Sequence, residues 1–186
     1  MNLFQIIVYL KNKEALDRLY SKAFEAQKEF LSFLIRYFPK NASLVTRKGL
    51  KSLGRVCDKV MEGSSIDKIY DVNGATFLFK NVNDLLEVKD YFASLGNTVR
   101  IKDRISNPTD LGYRDILINV RMSNGFIGEI LLIPDTIFSV KMGEGHKLYE
   151  KTRNFFIKFF FPKKVKLWEK KQKELYQEAW ISFLKK

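Results

Sequence analysis

Two carboxylates stand in segments of the sequence that otherwise read as β-strands. Asp71 opens IYDVNGATFLFK, residues 69–80, and Glu129 lies inside the apolar run GFIGEILLIP, residues 125–134. A carboxylate inside an apolar strand is costly unless a cation accompanies it. A Mg²⁺ ion held by Asp71 and Glu129 would supply that cation, because magnesium prefers oxygen ligands. A salt bridge from Glu129 to a lysine or arginine on a neighbouring strand is the alternative.

A short segment before Asp71, TRKGLKSLGRVCDK at residues 46–59, is crowded with cations. Lys51, Arg55 and Lys59 recur every four residues, which places them on one stripe of a helix. Like charges at this spacing repel each other unless a polyanion lies across them. A triphosphate would do so, and solvent would serve as well, so the spacing alone leaves both readings open.

A basic loop lies between the two acids. In RIKDRISNPTDLGYRD, residues 100–115, four basic residues surround a loop that ends in Gly112-Tyr113. A glycine before a tyrosine lets the ring project from the backbone of the loop. Such a ring is a suitable platform for a purine base.

Composition limits the kind of protein without choosing its partner. The chain has 186 residues and a formal net charge of +12, so it suits one domain and favours anionic partners. Nucleotides, RNA and an acidic membrane surface all qualify, and solvated basic faces remain the plain alternative. The one cysteine, Cys57, excludes an intramolecular disulfide, is compatible with a reducing compartment, and reads as a buried thiol.

The apolar stretches are too short to cross a membrane. Residues 3–10 are apolar but lack a basic leader and a small-residue cleavage site, which argues against a signal peptide. No uninterrupted apolar run approaches the roughly 20 residues of a membrane span. We therefore expect a soluble, cytoplasmic protein.

Hydrophobic periodicity predicts the elements that carry these residues. Helices are expected at residues 12–38, about 49–61 and 82–95, with residues 40–46 as a connector, and further helices after residue 134 that are interrupted at Pro162. Strands are expected at residues 69–80, 99–104, 113–122 and 126–133. The predicted fold class is therefore α/β (α+β), with a mixed, mostly antiparallel sheet of about four to five strands flanked by helices.

The hairpin at Asn124-Gly125 decides which face of the sheet carries Glu129. A two-residue turn would place Glu129 opposite Val120, on the apolar face of Ile116 and Ile118. A three-residue loop with Gly125 in the left-handed region shifts the pairing by one, so that Glu129 falls opposite Asn119. Burying a carboxylate among isoleucines costs several kcal/mol, more than the ~1 kcal/mol between loop types. We therefore predict the three-residue loop and one polar face that carries Tyr113, Asp115, Asn119, Arg121 and Glu129.

Four segments in this order resemble a known family. KSLGRVCDK, IYDVNGATF, RIKDRISNPTDLGYRD and GEILLIP are similar to the RelA/SpoT synthetase domain, which transfers pyrophosphate from ATP to a nucleotide 3′-hydroxyl. The segment GEGHKLYE resembles a tail of short, often toxin- or phage-associated members. The resemblance covers residues 46–150, flanked by helical segments at 1–45 and 151–186 in a single domain. It also implies a nucleotidyltransferase-like fold.

The resemblance implies roles for individual residues. Lys51, Ser52 and Arg55 fall where the family binds ATP phosphates, and we add the adjacent Arg47 and Lys48 to this ATP-binding set. Asp71 falls on the magnesium-binding aspartate and Glu129 on the catalytic glutamate, with Mg²⁺ as the implied cofactor. On the acceptor side, Lys102 and Asp103 match the start of the loop and Tyr113 matches a tyrosine that stacks on the acceptor base. Asp115, Asn119 and Arg121 join the acceptor-binding set through the polar face.

The departures from the family pattern fall on the acceptor side. Asp115 and Leu117 stand where a serine and a histidine are usual, Thr76 stands for an arginine and Leu131 for a glutamine. These changes imply an altered acceptor or a weakened enzyme. The hydrolase half of the long members has no room here, and the one histidine, His146, reads as a helix-opening residue rather than a metal ligand.

Three functions follow as expectations. The first is an ATP-dependent pyrophosphokinase that makes a (p)ppGpp- or (p)ppApp-like product. The second is a toxin-like enzyme that pyrophosphorylates a tRNA 3′ end, and the third is a degenerate domain that binds nucleotide or RNA. The basic, aromatic C-terminal segment, residues 155–180, is expected to dock through Leu167, Trp168, Leu175 and Ala179. Its outward lysines would be either solvated or an RNA contact.

Overall fold

The computed structural model describes residues 1–153 and 155–186. The strands are β1 (Ala42–Thr46), β2 (Gly74–Phe79), β3 (Thr98–Asp103), β4 (Ile116–Arg121) and β5 (Ile127–Pro134). The first helices are α1 (Leu3–Lys11), α2 (Lys13–Glu25), α3 (Gln27–Arg36), α4 (Leu53–Met61) and α5 (Val82–Ser94). The later helices are α6 (Asp135–Met142), α7 (Glu144–Arg153), α8 (Phe155–Phe160) and α9 (Pro162–Leu184), and a 3₁₀ turn spans Ile66–Lys68.

The five strands form one mixed sheet in the order β1-β2-β5-β4-β3. The β2–β5 pair is parallel and the other three pairs are antiparallel. This confirms the predicted α+β class and the mostly antiparallel sheet. The strand predicted at residues 69–80 begins only at Gly74, so Asp71 lies in the segment before the strand and not on it. The parallel pair brings Gly74 beside Glu129, so this segment enters the sheet next to the glutamate strand.

The N-terminal third differs from the prediction in three places. Leu3–Lys11 forms the separate helix α1, before the helix predicted from residue 12. The helix predicted at residues 12–38 is divided into α2 and α3 at Ala26, whose backbone stays in the right-handed helical region. The predicted connector at residues 40–46 is wrong, because Ala42–Thr46 pairs with β2 as an edge strand. The residues of this edge strand are either exposed or half-buried, so the strand buries little apolar surface. It therefore lacks the hydrophobic sequence pattern of a central strand.

The β4–β5 hairpin has the predicted three-residue loop. The Gly125 nitrogen donates to the Met122 carbonyl, the Met122 nitrogen donates to the Phe126 carbonyl, and Gly125 has φ +80°. Asn119 therefore lies opposite Glu129, as the cost of burying the acid predicted. Ile116, Ile118 and Val120 occupy the other face and are fully buried.

Gly125→Ala should destabilise the fold by about 1–2 kcal/mol, because an L-residue pays that much in the left-handed region. Its Cβ would meet no atom within 4 Å, so the cost isolates backbone strain from packing. Chemical unfolding measures it. Gly96→Ala is the matched control, since Gly96 also has open space but no positive φ. Equal losses in both variants would contradict the loop geometry.

The C-terminal helices pack on the sheet and on one another. α9 buries Val165, Gln172, Tyr176 and Phe183, and Pro162 opens it at a position where a missing N–H costs nothing. Of the predicted docking residues, Trp168, Leu175 and Ala179 are half-buried, but Leu167 is 65% exposed and that prediction is wrong. The lysines predicted to face outward are exposed: Lys163, Lys164, Lys166, Lys170 and Lys171.

Two smaller predictions also have outcomes. Cys57 is a buried free thiol on α4, as expected. Among the described residues, no helix combines the length and the apolar character that a bilayer crossing requires.

Candidate active site

Asp71 lies at the centre of a cationic cluster. Its Oδ2 accepts hydrogen bonds from Lys51 Nζ at 2.5 Å and Lys59 Nζ at 2.8 Å, and its carbonyl accepts one from Arg47 at 2.7 Å. Burial acts to raise the pKa of Asp71, but the hydrogen bonds from both lysines outweigh it and hold the pKa below its usual value. We call Asp71, Arg47, Lys51 and Lys59 the Asp71 cluster.

The folding of residues 46–59 explains how the cluster forms. α4 begins at Leu53 after the cap residue Ser52, so the helix predicted from residue 49 starts later and Lys51 precedes it. The Lys51 nitrogen donates to the Val72 carbonyl, and Tyr20 donates its hydroxyl to the Lys51 carbonyl. This anchoring turns the Lys51 ammonium toward Asp71, where Lys59 arrives from the helix.

The predicted ATP-binding residues are therefore divided by the structure. Arg47 and Lys51 belong to the Asp71 cluster. Lys48, Ser52 and Arg55 are exposed on the same segment and are not among the residues that donate a hydrogen bond to Asp71. Lys59, which was not among the predicted ATP-binding residues, donates to Asp71, and Arg55 does not.

Glu129 stands on β5 beside the Asp71 cluster. Its backbone nitrogen donates to the Asn73 carbonyl at 3.0 Å, which ties it to the chain two residues after Asp71. Within the described part of the chain, no side chain forms a hydrogen bond or ion pair with its carboxylate. Burial raises the pKa of Glu129, and the negative charge of Asp71 adds to that rise. The salt-bridge alternative for Glu129 is therefore wrong for the described residues.

The two acids fit a magnesium ion that also contacts substrate phosphates. Asp71 Oδ1 is buried and has no hydrogen-bond partner among the described residues, and the Glu129 carboxylate is likewise free. Magnesium is usually held by one or two protein carboxylates together with phosphates and water, rather than by a full protein cage. In keeping with this, the described residues contain no group of three or more metal-ligating side chains.

A cleft of about 660 Å³ opens beside Glu129. Its floor comes from the sheet and its walls from the loop at residues 109–111, from α6 and from the C-terminal helices α7 and α9. Among the described residues that line it, three are cationic (Lys59, Arg104 and Lys141) and three are acidic (Asp110, Asp115 and Glu129). The lining of a strongly basic protein is thus close to charge balance at this point.

Tyr113 lines the cleft and is half-buried. Gly112, at φ +79°, closes a tight loop in which the Tyr113 nitrogen donates to Thr109 Oγ1. The Tyr113 hydroxyl donates to Asp115 at 2.8 Å and accepts from Lys141 Nζ at 3.1 Å. Burial raises the pKa of Tyr113 well above its usual value, so the ring stays a neutral phenol.

Asp115 has no free oxygen to offer an acceptor. Arg104 donates Nε to Oδ1 at 2.5 Å and a second nitrogen to Oδ2 at 2.9 Å, and Tyr113 also donates to Oδ2. The carboxylate is 1% exposed. The direct acceptor contact predicted for Asp115 therefore becomes a positioning role: it holds Arg104 and Tyr113 in place.

The other predicted acceptor residues do not line the cleft. Lys102 and Arg121 are exposed on β3 and at the end of β4. Asp103 uses its Oδ1 to accept the Ile105 and Ser106 nitrogens, which turns the chain into the loop. Asn119 is buried opposite Glu129, and its amide has no partner among the described residues.

Sequence reasoning missed the side chains that the C-terminal half contributes. Arg104 stood in a recognised segment, but Lys141, Gln172 and Tyr176 had no signal, since nothing local marks a helical lysine or glutamine as facing a cleft. Burial lowers the pKa of Lys141, and the negative charges of Asp115 and Glu129 partly oppose that shift. His146 does lie in the cleft wall on α7, with Nε2 at 3.3 Å from Glu150 of the same helix.

Comparison with known proteins found structural relatives but no sequence relatives. No protein-family model matches the sequence, and no curated protein matches it either. Among solved structures, small alarmone synthetase 2 from Bacillus subtilis is similar, at 19% identity over 94% of both chains with a TM-score of 0.63.

Two further structures extend this similarity. The Type VI effector Tas1, solved with its immunity protein, matches at 21% identity and a TM-score of 0.65 over 89% of this chain and 96% of its own. Small alarmone synthetase 1 from Bacillus subtilis, bound to its product pppGpp, matches at 17% identity and a TM-score of 0.52 over 91% of both chains. The chain therefore has the fold of the RelA/SpoT-type small alarmone synthetases, as the order of its motifs predicted.

Proposed function

We propose that the chain is a pyrophosphokinase that transfers the β,γ-pyrophosphate of ATP to the 3′-hydroxyl of a nucleotide. The new bond joins the 3′-oxygen to the β-phosphorus, the bond from that phosphorus to the α,β-bridging oxygen breaks, and AMP leaves. One observation carries the proposal: the Asp71 cluster, in the segment that leads into β2, lies beside the free Glu129 carboxylate on the adjacent parallel strand β5. Lys59 of the cluster and Glu129 line the same cleft. The named activities of proteins with this fold support the proposal.

Glu129 is the proposed general base. The attacking hydroxyl must lose a proton, and a carboxylate without another hydrogen-bond donor can accept it. Asp71, already bound by two ammonium groups, is poorly suited to this task.

The Asp71 cluster is the proposed site of the donor triphosphate. Lys51, Lys59 and Arg47 concentrate positive charge where negative charge moves during transfer, and such stabilisation is usually the largest part of catalysis. Mg²⁺ held by Asp71 and Glu129 would neutralise phosphate charge when bound. Lys48, Ser52 and Arg55 stay candidates for additional phosphate contacts.

The proposal is tested by incubating the protein with ATP labelled on the γ-phosphate and separating the products by thin-layer chromatography. The acceptors are GDP, GTP, ADP, ATP and bulk tRNA, each offered separately. We expect label to move to one acceptor. A chain that binds ATP but labels none of them would be a binding domain, the third function considered from the sequence.

Transfer to an RNA 3′ end is a second candidate, and the charge of the cleft favours it. The described lining carries three cations against three acids, which is poor compensation for a di- or triphosphate acceptor. A 3′-terminal nucleotide in RNA brings one phosphodiester charge to the same place. The exposed lysines of α9, Lys163, Lys164, Lys166, Lys170 and Lys171, could contact the rest of such an RNA. Label in tRNA rather than in a mononucleotide would select this candidate.

Tyr113→Ala should reduce acceptor use about tenfold or more while leaving ATP binding within about twofold, because a base stacked on an aromatic ring gains ~1–3 kcal/mol. Kinetic titration of the acceptor and calorimetric titration of ATP measure the two effects. Tyr113→Phe is the matched control: it keeps the ring and loses only the hydroxyl contacts with Asp115 and Lys141. If Ala and Phe reduce acceptor use equally, the ring is not the platform.

A further inference from the structure

We propose that Gln172 reads the exocyclic amino group of the acceptor base, an inference that rests on the proposed function. Gln172 lies on α9, outside residues 46–150, which carry the motif resemblance. It would make the C-terminal helix part of the acceptor site rather than only a flank. The argument comes from its burial, from the orientation of its amide and from its neighbours.

Gln172 is buried in the wall of the cleft. It is 2% exposed, yet it lines the same cleft as Tyr113, Glu129 and Tyr176. Tyr176, one helical turn further along α9, meets Tyr113 edge-on with ring centroids 5.5 Å apart. The glutamine is therefore attached to the same helix that holds the proposed base platform.

The neighbours of the Gln172 side chain determine where its Nε2 and Oε1 atoms lie. Nε2 donates to the Gly145 carbonyl at 3.4 Å, and a carbonyl oxygen can only accept, so the nitrogen end must point there. Gln172 also hydrogen-bonds Tyr176, which opposes the rise in the Tyr176 pKa that burial causes. Oε1 is then directed away from Gly145 and has no partner among the described residues.

A buried carbonyl oxygen without a hydrogen-bond partner is an unusual feature of a folded protein. Such an oxygen discriminates between ligands. It accepts hydrogen bonds and donates none, so it favours a ligand that presents an N–H group. The amino groups of adenine, guanine and cytosine fit this requirement. A site that hydrogen-bonds a substrate group discriminates against the analogue that lacks it, because its own polar atom is then left unpaired.

The test removes the amino group from the acceptor and the amide from the protein. Three acceptor pairs are compared: ADP with purine riboside diphosphate, GDP with IDP, and an oligoribonucleotide ending in adenosine with one ending in purine riboside. In the pair that contains the preferred acceptor, wild type should favour the amino-bearing member by about tenfold or more in kcat/KM and in Kd. Gln172→Met, nearly the same shape without the amide, should reduce that preference to about twofold or less.

Gln177→Met is the matched control, because Gln177 is exposed on the same helix and should keep the full preference. Gln172→Asn serves as a second variant if the methionine variant does not fold. It retains an amide but withdraws Oε1 by one methylene, so the preference should also fall. Thermal melting of each variant separates loss of folding from loss of recognition.

The outcomes separate this inference from the proposed function. A folded Gln172→Met that keeps the wild-type preference, or a wild type with no preference in any pair, would overturn the inference even if AMP is released and pyrophosphate is transferred. A preference that appears in Kd and disappears in Gln172→Met, without any transfer, would support the base contact and refute the enzyme.

Discussion

Glu129→Gln should lower pyrophosphate transfer by about 10²–10⁴-fold, the usual contribution of a general base. The amide keeps the shape of the side chain but cannot take the proton of the attacking hydroxyl. Folding should be unaffected or slightly improved, because burial and the charge of Asp71 both disfavour the ionised Glu129 whose pKa they raise. Steady-state transfer assays and thermal melting measure the two effects on the same preparation.

The matched control is Glu87→Gln, the same change at an exposed position of α5. It should leave both the transfer rate and the melting temperature at wild-type values. A Glu129→Gln enzyme with full activity and an unchanged melting temperature would remove Glu129 from the mechanism. If Glu129→Gln loses activity because it has unfolded, the melting curve will show the unfolding.

Asp115→Ala should be the most destabilising of the substitutions considered, at about 3–5 kcal/mol, because it strands a buried guanidinium. The side chains of Arg104 and Asp115 are 17% and 1% exposed. Burial pulls the pKa of Arg104 down, and the hydrogen bond and charge of Asp115 raise it above its usual value. The melting temperature should fall by about 6–20 °C for a chain of this length.

Two controls distinguish the buried pair from a general loss of charge. Asp17→Ala removes an acid from the Lys13–Asp17 pair, whose side chains are 59% and 47% exposed, and should cost less than about 1 kcal/mol. The double variant Arg104→Met with Asp115→Ala should be more stable than Asp115→Ala alone, since no unpaired charge remains. A double variant less stable than the single one would contradict the assignment.

The features of the fold that were predicted correctly are those in which only one local arrangement avoids a large free-energy cost. The cost of placing Glu129 among Ile116 and Ile118 is several kcal/mol, which selected the three-residue hairpin loop that the structure contains. Where the penalties are small, the predictions were wrong. The edge strand Ala42–Thr46 buries little, and the exposed Leu167 lies on the solvent side of α9.

The candidate site likewise contains residues that the local sequence identifies and residues that only the tertiary packing brings together. The two acids are recognisable because carboxylates are unusual in segments with the apolar pattern of a strand. Tyr113 is recognisable because it follows a glycine at the end of a loop. Lys59 was read as part of a stripe with Arg55, but Lys51 precedes the helix, so the two lysines converge on Asp71 and Arg55 does not. Lys141 and Gln172 reach the cleft only through the packing of α6 and α9, which no local pattern encodes.

The most direct test of the central claim is the stoichiometry of nucleotide release during turnover with labelled ATP and the accepted acceptor. Transfer of pyrophosphate from the β-phosphorus predicts one AMP released for each labelled product formed. In Glu129→Gln, the rates of AMP release and of product formation should fall together by about 10²–10⁴-fold. Release of ADP instead of AMP would mean that a single phosphoryl group moves. Release of AMP without labelled acceptor would mean hydrolysis, and either result would contradict the proposed reaction.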